Sequence, residues 1–388
     1  MVGDRMVEIV LAFAVLELGG SVPQVGLVLA AHTVGFVGNV LAGGVVGDRV
    51  SRRSVMVIAD VVRIGTQGFL AVALIAGFAE VWMLAAVAAV AGIAGGFFGP
   101  AATGLLPEVV PPDELQQANA LRSTAMSTGE MLGPAIGGVI VAVAGPGYAF
   151  ALDALTFAAS AVWLAMMRVS PVRERHEETG FVADLVEGWQ AFRSRTWVWA
   201  FVAYFAIANM FWGAYLALGP VVADRDLGGA AAWGAVMAAF GAGALAGSLL
   251  AVRAEPPRPL LFCALTEGLF VLPLAFLAAS TNVPVLALGA LLSGAGMTLG
   301  MSVWDSTLQR HIPPESLSRV SSYDWFGSMA FTPVGLALWG PIAVGIGIQE
   351  SLWLAFGLMV ASICVLISIP AIRALPAYPP SGYPGDSL

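Results

Sequence analysis

Ionisable side chains lie inside or at the edge of long apolar runs: Asp4, Arg5, Glu8, His32, Asp60, Arg63, Glu130, Asp153, Glu267 and Asp305. A charge at the centre of a membrane helix costs about 2.5–3.5 kcal/mol on insertion scales, so each is a candidate functional group. The chemistry open to them is proton traffic, because a carboxyl in an apolar cavity can load and release a proton as its surroundings change. Asp60 and Arg63, spaced i, i+3, read as an ion pair. Asp153 and Asp305 lie close to the ends of their apolar runs, where an acid faces water or caps a helix.

A second group is Gly44–Arg53, GVVGDRVSRR. Arg49, Arg52 and Arg53 crowd a short turn between two apolar runs. Asp48 stands at the end of the first run, where a helix C-terminal dipole opposes an acid. An acid held there among arginines suggests a charge lock; the plainer alternative is a basic loop that only orients the helices. A third group is Gly129–Gly138, GEMLGPAIGG. Gly129, Gly133 and Gly137 share one helix face and permit close approach of another backbone. Pro134 kinks the helix and frees a carbonyl. Gly241, Gly243 and Gly247 offer a matching small-residue face, although such faces also serve ordinary packing.

The elements that must position these groups are membrane helices. The chain has 388 residues, 59% hydrophobic and 11% charged, whereas a soluble domain is about 25% charged. That excludes a soluble globular protein. With about 20 apolar residues per span, twelve spans are expected, over 5–18, 25–46, 55–78, 81–103, 122–144, 148–168, 197–222, 231–252, 258–279, 284–307, 323–345 and 350–371. The first is short, so the native start is expected upstream of Met1. Val110–Leu115 and Ile312–Leu317 repeat a Pro-Pro-acid pattern after the fourth and tenth spans, as duplicated halves would. The expected fold class is an all-α membrane protein of twelve transmembrane helices in two pseudo-symmetric six-helix halves. Residues 1–168 form the first half and 197–373 the second. Residues 169–196 form a central linker with an amphipathic helix over Phe181–Phe192, and 374–388 a disordered tail. The basic residues fall on one side of this arrangement, with Arg225 the exception. The positive-inside rule makes that side cytoplasmic, with both termini there, in a multi-pass protein of the cell membrane.

Gly44-x-x-x-Asp48-Arg49-x-x-Arg52-Arg53 resembles the loop between helices 2 and 3 of the major facilitator superfamily, with Ser51 where that pattern has Gly. Gly129-x-x-x-Gly133-Pro134-x-x-Gly137-Gly138 resembles the antiporter motif of its exporters in full. Gly3-Asp4 resembles a mid-helix pair in the first helix of its drug- and siderophore-efflux branch. The resemblance implies a secondary active transporter performing proton-coupled efflux of amphipathic small molecules (drugs, macrolides or siderophores) by alternating access. It implies a latch between the halves at Gly44, Asp48, Arg49, Arg52 and Arg53, extended by Asp60 and Arg63. It also implies a contact of helices 5 and 8 through Gly129, Gly133, Pro134, Gly137 and Gly138. Asp4 and Glu130 become the first proton-coupling candidates, with Glu8 and Glu267 behind them. Asn209, Phe205 and Trp212 are candidates to line a substrate cavity, since aromatic faces accept flat apolar or cationic molecules; interfacial anchoring explains such residues equally well.

Expected partners are a small-molecule substrate and the bilayer, with no nucleic acid, in a monomer. No cofactor or metal is expected, the proton gradient being the driving force. Cys263 and Cys364 read as small buried hydrophobes. His32, His176 and His311 lack a catalytic setting, so the chain is not expected to be an enzyme. The alternatives are an importer or facilitator of a small nutrient, or an inactive, N-terminally truncated transporter.

Overall fold

The computed structural model describes residues 2–110, 115–167, 189–190, 192–279, 282–312 and 314–378; some side chains within these, including those of Gly44, Asp48 and Arg49, lie outside the described set. Among the described residues the chain is helical, with short turns and no strand. Nine helical segments there are long and apolar enough to cross a membrane, beside a shorter apolar stretch at Thr128–Ala144.

The first half contains α1 (Val2–Glu17), α2 (Val22–Arg49), α3 (Arg52–Ala76), α4 (Val81–Val109), α5 (Leu115–Ala144) and α6 (Pro146–Met166). The second half opens with α7 (Thr196–Val222), which runs into a π turn at Ala223–Leu227, followed by α8 (Ala230–Ala251). Then come α9 (Pro259–Phe270), α10 (Leu272–Ala279), α11 (Val283–His311), α12 (Pro314–Met329), α13 (Thr332–Ile346), α14 (Ile348–Ser368) and the short α15 (Pro370–Ala374). Two expected spans are therefore each broken in two. Pro273 and Pro333 stand at the second residue of α10 and of α13. A proline there lacks an N–H and disfavours helical geometry just before it.

The two halves repeat one another. A single glycine, Gly145, joins α5 to α6, and a single glycine, Gly347, joins α13 to α14; their φ values are +87° and +102°. Each N–H donates to the carbonyl four residues back, Val141 or Ala343, at 3.0 Å. The packing repeats as well. α2 lies on α4 as α8 lies on α11, and α1 lies on α5 and α6 as α7 lies on α13 and α14. Two seams, α5 on α8 and α2 on α13, join the halves.

Those seams are backbone contacts. A Cβ on Gly234 of α8 would stand 2.7 Å from the Pro134 carbonyl and 3.1 Å from the Gly138 Cα. A Cβ on Gly340 of α13 would stand 2.5 Å from the Pro23 Cα of α2, and one on Gly26 would overlap the Leu336 carbonyl. Pro23 and Gly26 begin α2, Gly340 is near the end of α13, and Gly138 is near the end of α5. Both seams thus close the end of the bundle opposite the Arg52–Arg53 turn. On the basic side of the α12–α13 span, α12 packs on α7 and α11, in its own half.

Two expectations change. Gly129, Gly133 and Gly137 do not act as one face toward α8, since Gly137 backs onto Met6 of α1 while Gly138 meets Ala230 and Gly234. Of Gly241, Gly243 and Gly247, Gly241 alone meets α5, at Glu130 and Met131; Gly243 and Gly247 meet Leu291 and Ala295 of α11. The reason is helical phase: residues two apart point to opposite sides.

The helix expected over Phe181–Phe192 lies largely outside the described residues. Trp189 and Phe192, which are described, stack at 5.6 Å and both approach Tyr323. α15 leads to Tyr378, whose ring lies 4.8 Å from the Arg310 guanidinium carbon; residues 379–388 of the expected tail lie outside the described residues. Cys263 is buried, whereas Cys364 is exposed at the bundle surface rather than buried.

Gly234→Leu should force α5 and α8 apart and cost about 1–3 kcal/mol or more. Gly68→Ala, where a Cβ meets nothing within 4 Å, should be neutral or stabilise by up to about 1 kcal/mol. Thermal unfolding of the purified variants, followed by intrinsic fluorescence, would compare them; equal midpoints would contradict the seam.

Candidate functional site

The turn between α2 and α3 is built by Ser51. It caps α3, its hydroxyl accepting from the Ser54 N–H at 3.5 Å, as serine commonly does at a helix start. This cap places Arg52 and Arg53 in the first turn of α3. Arg52 Nη1 donates to the Gly104 carbonyl of α4 at 2.6 Å. Arg53 Nε donates to the Leu164 carbonyl at 2.7 Å, and its Nη2 donates to the Ala165 carbonyl. A guanidinium here satisfies carbonyls left open at the α6 C-terminus and complements its dipole. These contacts of Arg52 and Arg53 brace α3 on α4 and α6 within the first half. The Asp48 and Arg49 side chains lie outside the described residues.

Farther along α3, Asp60, Arg63 and Gln67 are spaced i, i+3, i+7 and all are buried. The expected Asp60–Arg63 ion pair does not form. Arg63 Nη1 instead pairs with Asp4 Oδ1 of α1 at 3.4 Å. Its guanidinium is packed between two rings, 5.1 Å from the Phe98 centroid of α4 and 4.9 Å from that of Phe157 of α6. Cation–π contact of this kind is stronger when water is excluded. Asp60 is 1% exposed, and neither of its carboxylate oxygens has a hydrogen-bond partner, although the Ser160 hydroxyl of α6 lies nearby.

Asp153 overturns the expectation of an acid facing water or capping a helix. It is 0% exposed, near the middle of α6. Its Oδ1 accepts from Thr156 Oγ1 at 3.3 Å, and its Oδ2 has no hydrogen-bond partner. Asp305 is exposed on α11. The burial of Asp153 could not be read along the sequence, because it is created by α1 crossing α6 at Gly3.

Glu130 is less isolated than an acid inside an apolar motif would suggest. Its Oε1 accepts from Arg5 Nη2 at 2.8 Å, and both side chains are partly exposed, at 34% and 43%. That pair ties α5 to α1. Glu8 is exposed. Glu267 of α9 is buried, and its Oε2 accepts from Tyr204 of α7 at 2.9 Å.

Phe205 and Trp212 lie inside the aromatic core of the second half. Trp212 stacks on Phe270 at 4.4 Å and Tyr215 at 4.6 Å, and Phe205 packs against Trp304 at 5.7 Å. Asn209 Nδ2 donates to the Ser328 carbonyl at 3.0 Å. In this conformation all three hold α7 to its neighbours. One functional group escaped the sequence reading. Asp324 is buried on α12, accepting from Trp304 Nε1 at 3.0 Å and Ser328 Oγ at 3.2 Å. It is flanked by Tyr323 and Trp325, and aromatic residues of this kind also anchor helices at a membrane interface.

Two repeated helical halves, meeting along backbone seams and carrying buried ionisable groups, define a membrane transporter. A model of the Major Facilitator Superfamily matches residues 1–335, and the chain belongs to that family. An uncharacterized MFS-type transporter, y4rN of Sinorhizobium fredii, is 31% identical over 70% of this chain and 66% of its own length. Macrolide efflux protein A of Streptococcus pyogenes is 21% identical over 97% of this chain and 93% of its own. Enterobactin exporter EntS of Shigella boydii is 28% identical over 94% and 88%. A bacterial homologue of the lysosomal transporter Spinster, solved inward-facing and occupied, superposes with TM-score 0.74 at 11% identity, covering 96% of this chain and 94% of that one. A D-xylose–proton symporter does so at 0.70 and 14% identity, covering 96% and 97%.

Tyr204→Phe removes the donor to a fully enclosed Glu267 and should lower stability by about 1–3 kcal/mol. The same change at exposed Tyr148 should leave it unaltered. Thermal unfolding midpoints of the two variants would check this.

Proposed function

We propose that this chain is a proton-coupled exporter of amphipathic small molecules, working by alternating access. The observation that carries the reading is the pair of seams, α2–α13 and α5–α8, closing one end of a two-half bundle whose interior holds buried carboxyls. Helix pairs held by backbone contact at one end can rock apart and close at the other, which is how repeat-built transporters alternate. The exporters of macrolides and enterobactin among the relatives support the efflux direction. Sugar–proton symport by a protein of the same fold favours no direction.

The units that rock are residues 1–168 and 197–373, joined by the linker 169–196 in the cytoplasm. The protein acts as a monomer in the cell membrane, with the Arg52–Arg53 turn and both termini inside, as the positive-inside rule requires. The present conformation then opens toward the cytoplasm. In the opposite state Gly44, Asp48, Arg49, Arg52 and Arg53 latch the cytoplasmic ends. Among the proton-coupling candidates, Glu267 is buried, Glu130 is partly exposed, and Asp4 and Glu8 lie nearer solvent. The proton gradient supplies the energy without a cofactor.

Everted membrane vesicles carrying this chain should accumulate an amphipathic dye severalfold over empty vesicles when acidified inside, and lose it on adding a protonophore. Asp48→Asn should slow accumulation by about tenfold, the loss expected when a contact worth about 1.4 kcal/mol is removed from one state. Absence of dye uptake, with counterflow of a sugar or nucleoside instead, would favour the importer.

A further inference from the structure

The interior of the first half holds more acid than base. Asp4 on α1, Asp60 on α3 and Asp153 on α6 surround the single guanidinium of Arg63. Asp4, Arg63 and the N-terminal ammonium are the charged groups acting on Asp153, two cations to three acids. The remaining charges nearby are otherwise engaged or peripheral: Arg5 pairs with Glu130 of α5, and His32 of α2 lies among Glu8, Asp4 and Arg63. With all three carboxyls ionised, the cluster would hold uncompensated negative charge at membrane depth, where a charge without a partner is strongly unfavourable.

The three acids are not equivalent. The Asp4 side chain is 43% exposed and faces Arg63 at 3.4 Å. Asp60 is enclosed, and neither of its oxygens has a hydrogen-bond partner, but it shares α3 with Arg63, one turn on, so a pairing between them would tie no second helix. Asp153 is fully enclosed, its Oδ2 unpartnered. α1 reaches it at Gly3: a Cβ there would overlap Asp153 Oδ1 and stand 2.6 Å from Thr156 Oγ1. Arg63 is already at α6, over Phe157, one turn beyond Asp153.

We propose that Asp153 is the proton-binding carboxyl of this protein, and that Arg63 exchanges between Asp4 and Asp153 as the proton leaves and returns. This deepens the reading of the chain as a proton-coupled transporter and rests on it. When Asp153 holds the proton it is neutral and Arg63 stays with Asp4, as seen here. When the proton passes to water, Arg63 moves to the new carboxylate and releases Asp4, whose side chain is 43% exposed. α1 and α6 then change their tie to α3, so a proton event becomes a helix movement.

The test is an infrared titration of the purified full-length protein in lipid nanodiscs, from about pH 5 to pH 9, across the range in which a shielded carboxyl titrates. The wild type should show the carbonyl stretch of a protonated carboxylic acid fading as the pH rises. Asp153→Asn should remove a component of that band, while Asp4→Asn and Asp60→Asn keep it. Asp153→Glu, which retains the acid should the amide variant fail to fold, should shift its frequency. A band unchanged in Asp153→Asn or Asp153→Glu, or lost in Asp60→Asn, would overturn the assignment. A wild type that shows the Asp153 band yet moves no dye in vesicles would overturn the transport reading and leave the proton on Asp153.

Discussion

Close contact between helix backbones is the constraint on which this structure depends. Lipid tails are as apolar as leucine, so burying apolar side chains draws membrane helices together weakly. Helices must instead come near enough for their backbones to touch, and a side chain at the crossing prevents it. Gly138 and Gly234 allow the α5–α8 seam, and Gly26 and Gly340 the α2–α13 seam. Within the halves, Gly92 lies against the His32 carbonyl and Gly243 against that of Leu291, so the α2–α4 and α8–α11 pairs use the same device. These glycines at the crossings supply the close fit that side chains there would prevent.

The polar groups divide between the halves in an uneven way. In the second half each buried acid has a donor: Glu267 has Tyr204, and Asp324 has Trp304 and Ser328. Hydrogen-bonded acids of this kind fasten α7 to α9 and α12 to α11. In the first half the acids compete for one guanidinium. A satisfied polar network rigidifies a structure, whereas a partly satisfied one leaves alternative arrangements close in energy. The second half therefore reads as the stiffer partner, consistent with its continuous aromatic core from Trp197 to Trp339. The first half holds the groups able to rearrange.

Arg52 and Arg53 show how one motif can have several physical uses. Basic residues at a turn orient the helices in the membrane. The same guanidinium groups, once oriented, cover the open carbonyls of Gly104, Leu164 and Ala165. Ser51, the departure from the family pattern, supplies the cap that starts α3.

The sequence by itself determined the class, the number and order of most spans, the repeat and its spacing. Those follow from composition and from local rules, which act within a few residues along the chain. It also marked Gly129–Gly138 and Gly44–Arg53 as places of close contact, because glycine rows and arginine turns have few other uses in a membrane. Which partner each residue meets was decided by tertiary structure alone. Arg63 faces Asp4 rather than Asp60, Gly243 faces α11 rather than α5, and Asp153 is sealed by the passage of α1. Each depends on the rotation of one helix against another, a few tens of degrees that no periodicity in a single helix specifies. Phe205 and Trp212 make the same point, for an aromatic residue suits a cavity wall and a packed core equally until its neighbours are in place.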